Sequence, residues 1–132
     1  MDAKPPPLAP ELVRAFVIAG HGDLDLVNRM LDEHPTLINA AWDWGGGDYE
    51  TALGGAAHVG HRAIAQCLLA RGARFDLYAA AMLGQLEVVR AVLTADPAAR
   101  HATGAHGLSL LFHAERGGEE AKEVVAYLMR LA

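Results

Sequence analysis

The sequence has little cysteine, few aromatic residues and no excess of positive charge. Its 132 residues include one cysteine, Cys67, so neither an internal disulfide nor a metal-binding cysteine pair can form. Lys and Arg total 11 against 16 Asp and Glu, and this balance of −5 argues against a nucleic-acid partner. No uncharged stretch is long enough for a membrane-spanning helix, and the first residues lack the apolar core of a secretory signal. We therefore expect a cytoplasmic protein that does not bind membranes.

The composition itself predicts one globular domain. Apolar residues make up 52% of the chain and charged residues 20%, which is enough core material for a domain of this length. Pro5, Pro6, Pro7 and Pro10 cannot donate backbone hydrogen bonds and favour extended chain. These prolines predict a leader over residues 1–10, followed by a single domain over residues 11–132.

A recurring pattern of glycines and apolar residues predicts repeated helix pairs. Glycines at positions 22, 60, 84 and 118 separate short apolar stretches, and apolar residues follow the first three at offsets of 4, 5, 8 and 9. In the fourth unit the same stripe is displaced by two residues. This spacing is typical of a helix buried along one face. The repeating unit is therefore predicted to be a helix, a glycine turn and a second helix, in an all-α fold.

The second of these units resembles an ankyrin repeat. Residues 51–61 read TALGGAAHVGH and residues 67–76 read CLLARGARFD, while residues 107–118, GLSLLFHAERGG, resemble the opening of another repeat. The resemblance implies an ankyrin-like solenoid of about four stacked repeats, at approximately 11–41, 50–76, 75–101 and 107–132. It also implies an enlarged finger loop at residues 40–50 and a deleted finger between repeats 2 and 3. The fourth repeat is either a C-terminal cap or was followed by further sequence.

The enlarged finger is the most unusual segment. Residues 42–50 contain both tryptophans, one tyrosine, three acidic residues and a triple glycine. Aromatic side chains on such a loop are typical anchors for a partner. Alternatively, Trp42 and Trp44 cover apolar surface left by the deleted finger, with Tyr49 packed beneath them.

The histidines form a second candidate set. His21, His58, His61, His101, His106 and His113 fall near predicted turns or helix ends, and imidazole with carboxylate can ligate zinc. No pair has the H-x-x-x-H interval, so we expect neither a metal nor a cofactor. The resemblance gives His61 a structural role in a turn and places three others, His21, His58 and His106, at variable positions that face the groove.

No pattern in the chain indicates catalysis. The sequence has no G-x-S-x-G turn, phosphate loop or dinucleotide fingerprint. Thr51 and Ser109 stand where a repeat's helix starts, so their hydroxyls are predicted to cap backbone N–H groups. We expect no catalytic residues and no enzymatic activity.

The resemblance implies a protein–protein interaction module that binds a partner through its concave surface and its finger. The candidate partner-binding residues are Trp42, Asp43, Trp44, Asp48, Tyr49, Glu50, His58, Val59, Met82, Leu83, His106, Leu108 and Arg116. The acidic finger and the net charge predict a basic patch on the partner protein. One alternative is a small-molecule or metal site in the gap framed by Trp42, Trp44, Tyr78 and His58. Another is a structural module, monomeric or weakly self-associating through the exposed end of the fourth repeat.

Overall fold

The structure is a computed structural model that describes residues 3–132, and it is mostly helical. Within those residues, two short strands and eight α-helices follow one another along the chain, with 3-10 turns between some of them. The elements are α1 (Pro10–Ala19), α2 (Leu24–Glu33), β1 (Ala41–Asp43), β2 (Tyr49–Thr51), α3 (Ala52–Val59), α4 (Arg62–Ala70), α5 (Leu77–Leu83), α6 (Leu86–Ala95), α7 (Leu110–Arg116) and α8 (Lys122–Leu131). The all-α prediction is confirmed.

Side-chain caps determine where several helices begin. Thr51 Oγ1 accepts a hydrogen bond from the Gly54 N–H, and Ser109 Oγ accepts one from the Phe112 N–H. Both caps confirm the sequence prediction. Asp76 caps α5 in the same way, and the Nδ1 atom of His61 accepts the Ile64 N–H at the start of α4. Each cap satisfies a backbone donor that the first helical turn leaves unpaired.

The helices pack as consecutive pairs, α1 with α2, α3 with α4, α5 with α6 and α7 with α8. Among the first helices of these pairs, α1 packs on α3, α3 on α5 and α5 on α7, and α7 also packs on α3. Small side chains permit this close packing, because Ala56, Ala57 and Ala114 are completely buried between neighbouring helices. Most of the predicted apolar stripe forms the core of the second helices, where Val27, Leu68 and others are buried. Two predicted members are exposed instead, Val88 on α6 and Met129 on α8.

Two of the predicted glycine turns depend on backbone that other residues avoid. Gly60 ends α3 with φ 75°, and Gly84 ends α5 with φ 79°. These left-handed conformations favour glycine. A Cβ atom on Gly60 would also lie 2.5 Å from the carbonyl oxygen of Arg116, so the turn packs directly against the end of α7.

The finger, residues 40–50, is a β-hairpin. Strands β1 and β2 pair antiparallel with Trp42 opposite Glu50. Gly45, Gly46 and Gly47 form its tip, all with positive φ, and Asp43 Oδ1 accepts the N–H groups of Gly45 and Gly47. The triple glycine thus supplies the reversal that L side chains resist.

Two other predicted segments are irregular. Residues 71–76, where a finger was predicted to be deleted, contain neither helix nor strand. The predicted leader has no helix or strand over residues 3–9, and its first two residues lie outside the described part of the chain. In residues 3–132, no helix is long and apolar enough to cross a membrane.

Candidate functional site

Four side chains from separate parts of the fold meet beneath the finger. His21 follows the end of α1, Glu50 lies on β2, His58 lies near the end of α3, and His106 lies in the 3-10 turn before α7. One ligand-type atom from each falls within 4.8 Å of the other three. We call these four residues the histidine cluster.

The carboxylate of Glu50 is the centre of the histidine cluster. Its Oε2 atom lies 2.8 Å from His58 Nε2, 3.1 Å from His21 Nε2 and 3.4 Å from His106 Nε2. Glu50 is 1% exposed, which is rare for a glutamate unless it has charged or hydrogen-bonding partners. Trp44 on the finger donates its Nε1–H to the other carboxylate oxygen, Oε1, over 2.9 Å. The indole therefore holds the carboxylate so that Oε2 faces the histidines.

Two of the three imidazole rings are oriented by a hydrogen bond at Nδ1, the ring nitrogen that does not face Glu50. His21 Nδ1 lies 2.9 Å from the carbonyl oxygen of Val17, an atom that can only accept. His106 Nδ1 lies 2.7 Å from Asp48 Oδ2. In both rings the Nδ1 atom is the donor, which leaves Nε2 directed at Glu50.

The backbone of His106 is adapted to this arrangement. With φ 60°, it is the non-glycine residue with positive φ in the described part of the chain. Its backbone N–H donates to Asp48 Oδ1 over 2.7 Å while its ring contacts Oδ2 of the same carboxylate. Asp48 thus binds both the backbone and the ring of His106. The strained backbone conformation of His106 places its Nε2 atom beside Glu50.

These contacts shift the pKa values of Glu50, His21 and Asp48. Burial favours a raised pKa for Glu50, but the hydrogen bonds from His21 and His58 outweigh it and bring the pKa far below its ordinary value. The bond to Glu50 raises the pKa of His21, against the opposing effect of burial. The backbone and ring hydrogen bonds from His106 lower the pKa of Asp48. The carboxylates are thus held ionised.

A glycine on α3 makes room for the cluster. A Cβ atom on Gly55 would lie 2.6 Å from Cε1 of His21, closer than carbon atoms pack. The neighbouring Gly54 has no such constraint, since its Cβ would meet only ordinary contacts at 3.5 Å and beyond. Gly55 is therefore the position at which α3 accommodates the His21 ring.

The thirteen candidate partner-binding residues do not share one environment. Six are exposed: Asp43, Trp44, Tyr49, Val59, His106 and Arg116. Four are half-buried: Trp42, Asp48, His58 and Leu108. The remaining three are buried: Glu50, Met82 and Leu83.

The three buried residues require a correction. Met82 and Leu83 lie in the core at the end of α5, so neither offers a surface to a partner. Glu50 uses its carboxylate inside the histidine cluster and is equally unavailable. The repeat pattern places these positions towards the groove, but neighbouring elements cover them.

The two tryptophans also separate. Trp44 lines a shallow hollow of about 330 Å³ with Ile18, His21 and His106, whereas Trp42 lines another hollow along α1. Tyr49 is 64% exposed and is not packed beneath the tryptophans. The gap that was predicted to be framed jointly by Trp42, Trp44, Tyr78 and His58 is therefore not one cavity.

A larger cavity opens on the other side of the finger. It encloses about 790 Å³ and is lined by Glu50 and His106 of the cluster, and by Asp76, Tyr78 and His113. Burial lowers the pKa of His113 and raises the pKa of Asp76. His113 Nδ1 donates to the carbonyl oxygen of Ser109 over 2.7 Å, so its Nε2 is the acceptor.

Sequence reasoning missed the convergence of the cluster because its members are far apart in the chain. His21 is 29 residues from Glu50 and 37 from His58, and Asp48 is 58 from His106. A usable signal was present: each of the three histidines lies within two residues of a glycine turn. Turns on one side of a stack of helix pairs lie near one another.

Comparison with known proteins gives no family for the chain. No protein-family model matches it, and no curated protein matches it. The site must therefore be interpreted from its own geometry.

Proposed function

We propose that this chain is an ankyrin-like repeat protein that binds a partner protein through the finger and the adjoining ends of α1 and α3. The paired helices, with each first helix packed on the first helix of the next pair, support the ankyrin-like solenoid. The hairpin between the first two pairs supports the enlarged finger. In such a stack, fingers and first helices together offer a long recognition surface.

The observation that carries this proposal is the hollow beside the finger. Ile18 is 44% exposed and Trp44 37% exposed, and both line this hollow of about 330 Å³. Val59 and Tyr49 add exposed apolar surface on α3 and the finger. A recess of this kind accepts one apolar or aromatic side chain of a partner. Because Glu50 fixes the indole of Trp44, little side-chain entropy is lost on binding.

The charge of the partner is a separate part of the proposal. Two acids of the finger are satisfied internally, since Asp48 pairs with His106 and Glu50 is buried. Asp43 is exposed, and the whole chain carries −5. We therefore propose a partner with an apolar anchor residue and a basic rim, for which raised salt slows association more than it speeds dissociation.

Variants at exposed positions test this function. In one double variant, Ile18→Ala removes apolar lining of the hollow, and Tyr49→Ala removes exposed apolar surface elsewhere on the finger. Phe75→Ala with Val88→Ala is a matched control, because those side chains are also exposed but lie away from the finger. Circular dichroism checks that both proteins are folded. A partner captured from lysate by the native chain and by the control, but lost with the first variant, is the expected result. Equal capture by both variants contradicts the proposed surface.

The larger cavity favours a second candidate, the binding of a small polar molecule. His113 is 1% exposed, yet it lines this cavity together with Asp76 and Tyr78. A buried acceptor at the wall of a large cavity is typical of a ligand site. A thermal-shift panel of metabolites tests it, with His113→Phe as the variant in which a stabilising ligand should lose its effect.

Self-association through the fourth helix pair is the remaining alternative. Met129 on α8 is 62% exposed and gives that face an apolar side chain. Light scattering over a range of protein concentrations distinguishes this case, because a self-associating chain increases in mass with concentration.

A further inference from the structure

We infer that the histidine cluster is a binding site for a zinc-class divalent metal ion, with His21, His58 and His106 as nitrogen ligands and Glu50 as the oxygen ligand. This site goes beyond partner binding, and it does not require that the proposed function be correct. Three arguments carry it: the spacing of the ligand atoms, the positions of the protons, and the hydrogen bonds that hold three of the four ligands.

The spacing of the ligand atoms matches a tetrahedral ion. Zinc lies about 2.0–2.1 Å from imidazole nitrogen, so two ligands of a tetrahedral ion are separated by roughly 3.3 Å. Four of the six separations among the ligand atoms are 2.8, 3.1, 3.1 and 3.4 Å, and the whole set lies within 4.8 Å, so His106 would move slightly inward to complete the tetrahedron. One of them joins His21 Nε2 to His58 Nε2, two nitrogen atoms that point at each other.

The positions of the protons leave lone pairs facing inward. His21 and His106 each donate from Nδ1, to Val17 and Asp48, so the neutral form of either ring has only a lone pair at Nε2. Both lone pairs then face the Oε2 atom of Glu50. Lone pairs and a carboxylate repel one another unless protons or a cation lie between them. A divalent ion satisfies three neutral imidazoles and one carboxylate at the same time.

Three of the four ligands, His21, His106 and Glu50, are held by a second hydrogen bond, as metal ligands usually are. A ligating histidine commonly donates its second N–H to a carboxylate or a backbone carbonyl, and Asp48 and the carbonyl oxygen of Val17 provide both kinds of acceptor here. Trp44 likewise fixes the free oxygen of Glu50. Gly55 leaves space for the His21 ring. Four protein ligands fill a tetrahedral ion, so the site is of the closed, structural kind.

The consequence is a metal-dependent connection between three helix pairs. The ion would join the end of α1, the finger, α3 and the turn before α7 at one point. Both His21 and His106 also line the hollow beside Trp44. Binding of the ion would therefore stiffen the same surface that we propose for the partner.

Zinc titration of the chelator-treated protein tests the inference. We expect the native chain to bind one Zn²⁺ per molecule in calorimetry, with a higher melting temperature in its presence. His106→Ala and Glu50→Gln should each weaken binding by 100-fold or more. Asp48→Asn, which leaves every ligand in place, should weaken it about 10- to 100-fold. His34→Ala is the control, because the side chain of this histidine is 42% exposed and lies outside the cluster, and it should change the affinity less than about 2-fold.

Two results would overturn the site. One is the absence of stoichiometric Zn²⁺ binding by the native chain, which would leave the cluster as a set of histidines that only hydrogen-bond to Glu50. The other is equal affinity in the native chain and in His106→Ala. Because His106 lies in an exposed turn, its variant remains informative if Glu50→Gln does not fold. The visible spectrum of bound Co²⁺ gives an independent readout, since it reports four-coordinate nitrogen and oxygen ligation that His106→Ala should disrupt.

Discussion

His21 and His113 are oriented by the same kind of local hydrogen bond, and yet their pKa values are shifted in opposite directions. Each ring donates its Nδ1–H to the carbonyl oxygen of the residue four positions earlier, Val17 or Ser109. The pKa of His21 is raised because its Nε2 faces the carboxylate of Glu50, whereas burial lowers the pKa of His113. Local sequence therefore orients a histidine, and the group brought to its other nitrogen by the fold decides its charge.

Removing the charge at Glu50, the group that makes the surroundings of His21 differ from those of His113, should have the largest effect on stability. In metal-free protein, Glu50→Gln leaves His21, His58 and Trp44 without the anion that they share. We expect the free energy of unfolding to fall by about 3 kcal/mol, as when one partner of a buried ion pair is removed. Urea denaturation in the presence of a chelator measures it. Glu33→Gln is the exposed control, and a similar loss there would contradict this role of Glu50.

The next largest effect on stability is expected from a substitution at Gly55, which can be compared with its neighbour Gly54 on α3. A methyl group at Gly55 would collide with the His21 ring, while at Gly54 it would make ordinary contacts. We expect Gly55→Ala to destabilise the protein by about 1–3 kcal/mol through overpacking. Gly54→Ala should be neutral or stabilising, because alanine favours a helix. Thermal melts of the two variants compare them directly, and equal melting temperatures would show that His21 is not confined at this point.

Removing the indole N–H of Trp44 should have a smaller effect on the free energy of unfolding. Trp44→Phe keeps an aromatic ring but removes the N–H that donates to Glu50 Oε1. We expect a loss of about 1.5 kcal/mol, the range for a hydrogen bond to a charged group. Trp42→Phe is the control, since Trp42 pairs with Glu50 across the hairpin but its indole lines a different hollow, and Glu50 Oε1 takes its indole hydrogen bond from Trp44. Denaturation curves that are identical for the two variants would argue against a bond that orients the carboxylate.

His113 supplies the smallest effect, which is visible only as a dependence on pH. The groups that face it are Asp76, Tyr78 and His58. Because its folded pKa lies below the unfolded value of 6.5, its stabilising contribution is complete above pH 6.5 and is lost as the pH falls towards the folded pKa. The native chain should therefore lose more stability than His113→Gln between pH 7 and pH 5. Melting temperatures in chelator-containing buffers test this, with the half-buried His34→Gln as the control, and parallel curves would contradict it.

The sequence was informative about elements that depend on near neighbours. Thr51 and Ser109 cap helices as predicted, since a cap needs only a hydroxyl and a donor three residues away. The glycine turns at positions 60 and 84 are likewise local. Met82 and Leu83 were misplaced because their burial depends on which helices cover α5.

The histidine cluster was also missed because it depends on the packing of residues that are distant in the chain. Residue types alone indicated that histidines and acids were available, but the absence of the H-x-x-x-H interval argued against a metal. That interval applies when two ligands lie on one helix. Here each ligand comes from a different element, and only packing brings the Nε2 atoms to one carboxylate. Such a site has no short-range signature.

The contact between Asp48 and His106 has a consequence for the order of assembly. The two residues are 58 positions apart, and their bonds close a large loop of chain across the middle of the molecule. During synthesis the finger leaves the ribosome well before the turn that carries His106. The first two helix pairs and the hairpin can form while the cluster still lacks one histidine, so the bonds of Asp48 are completed only after residue 106 has been synthesised.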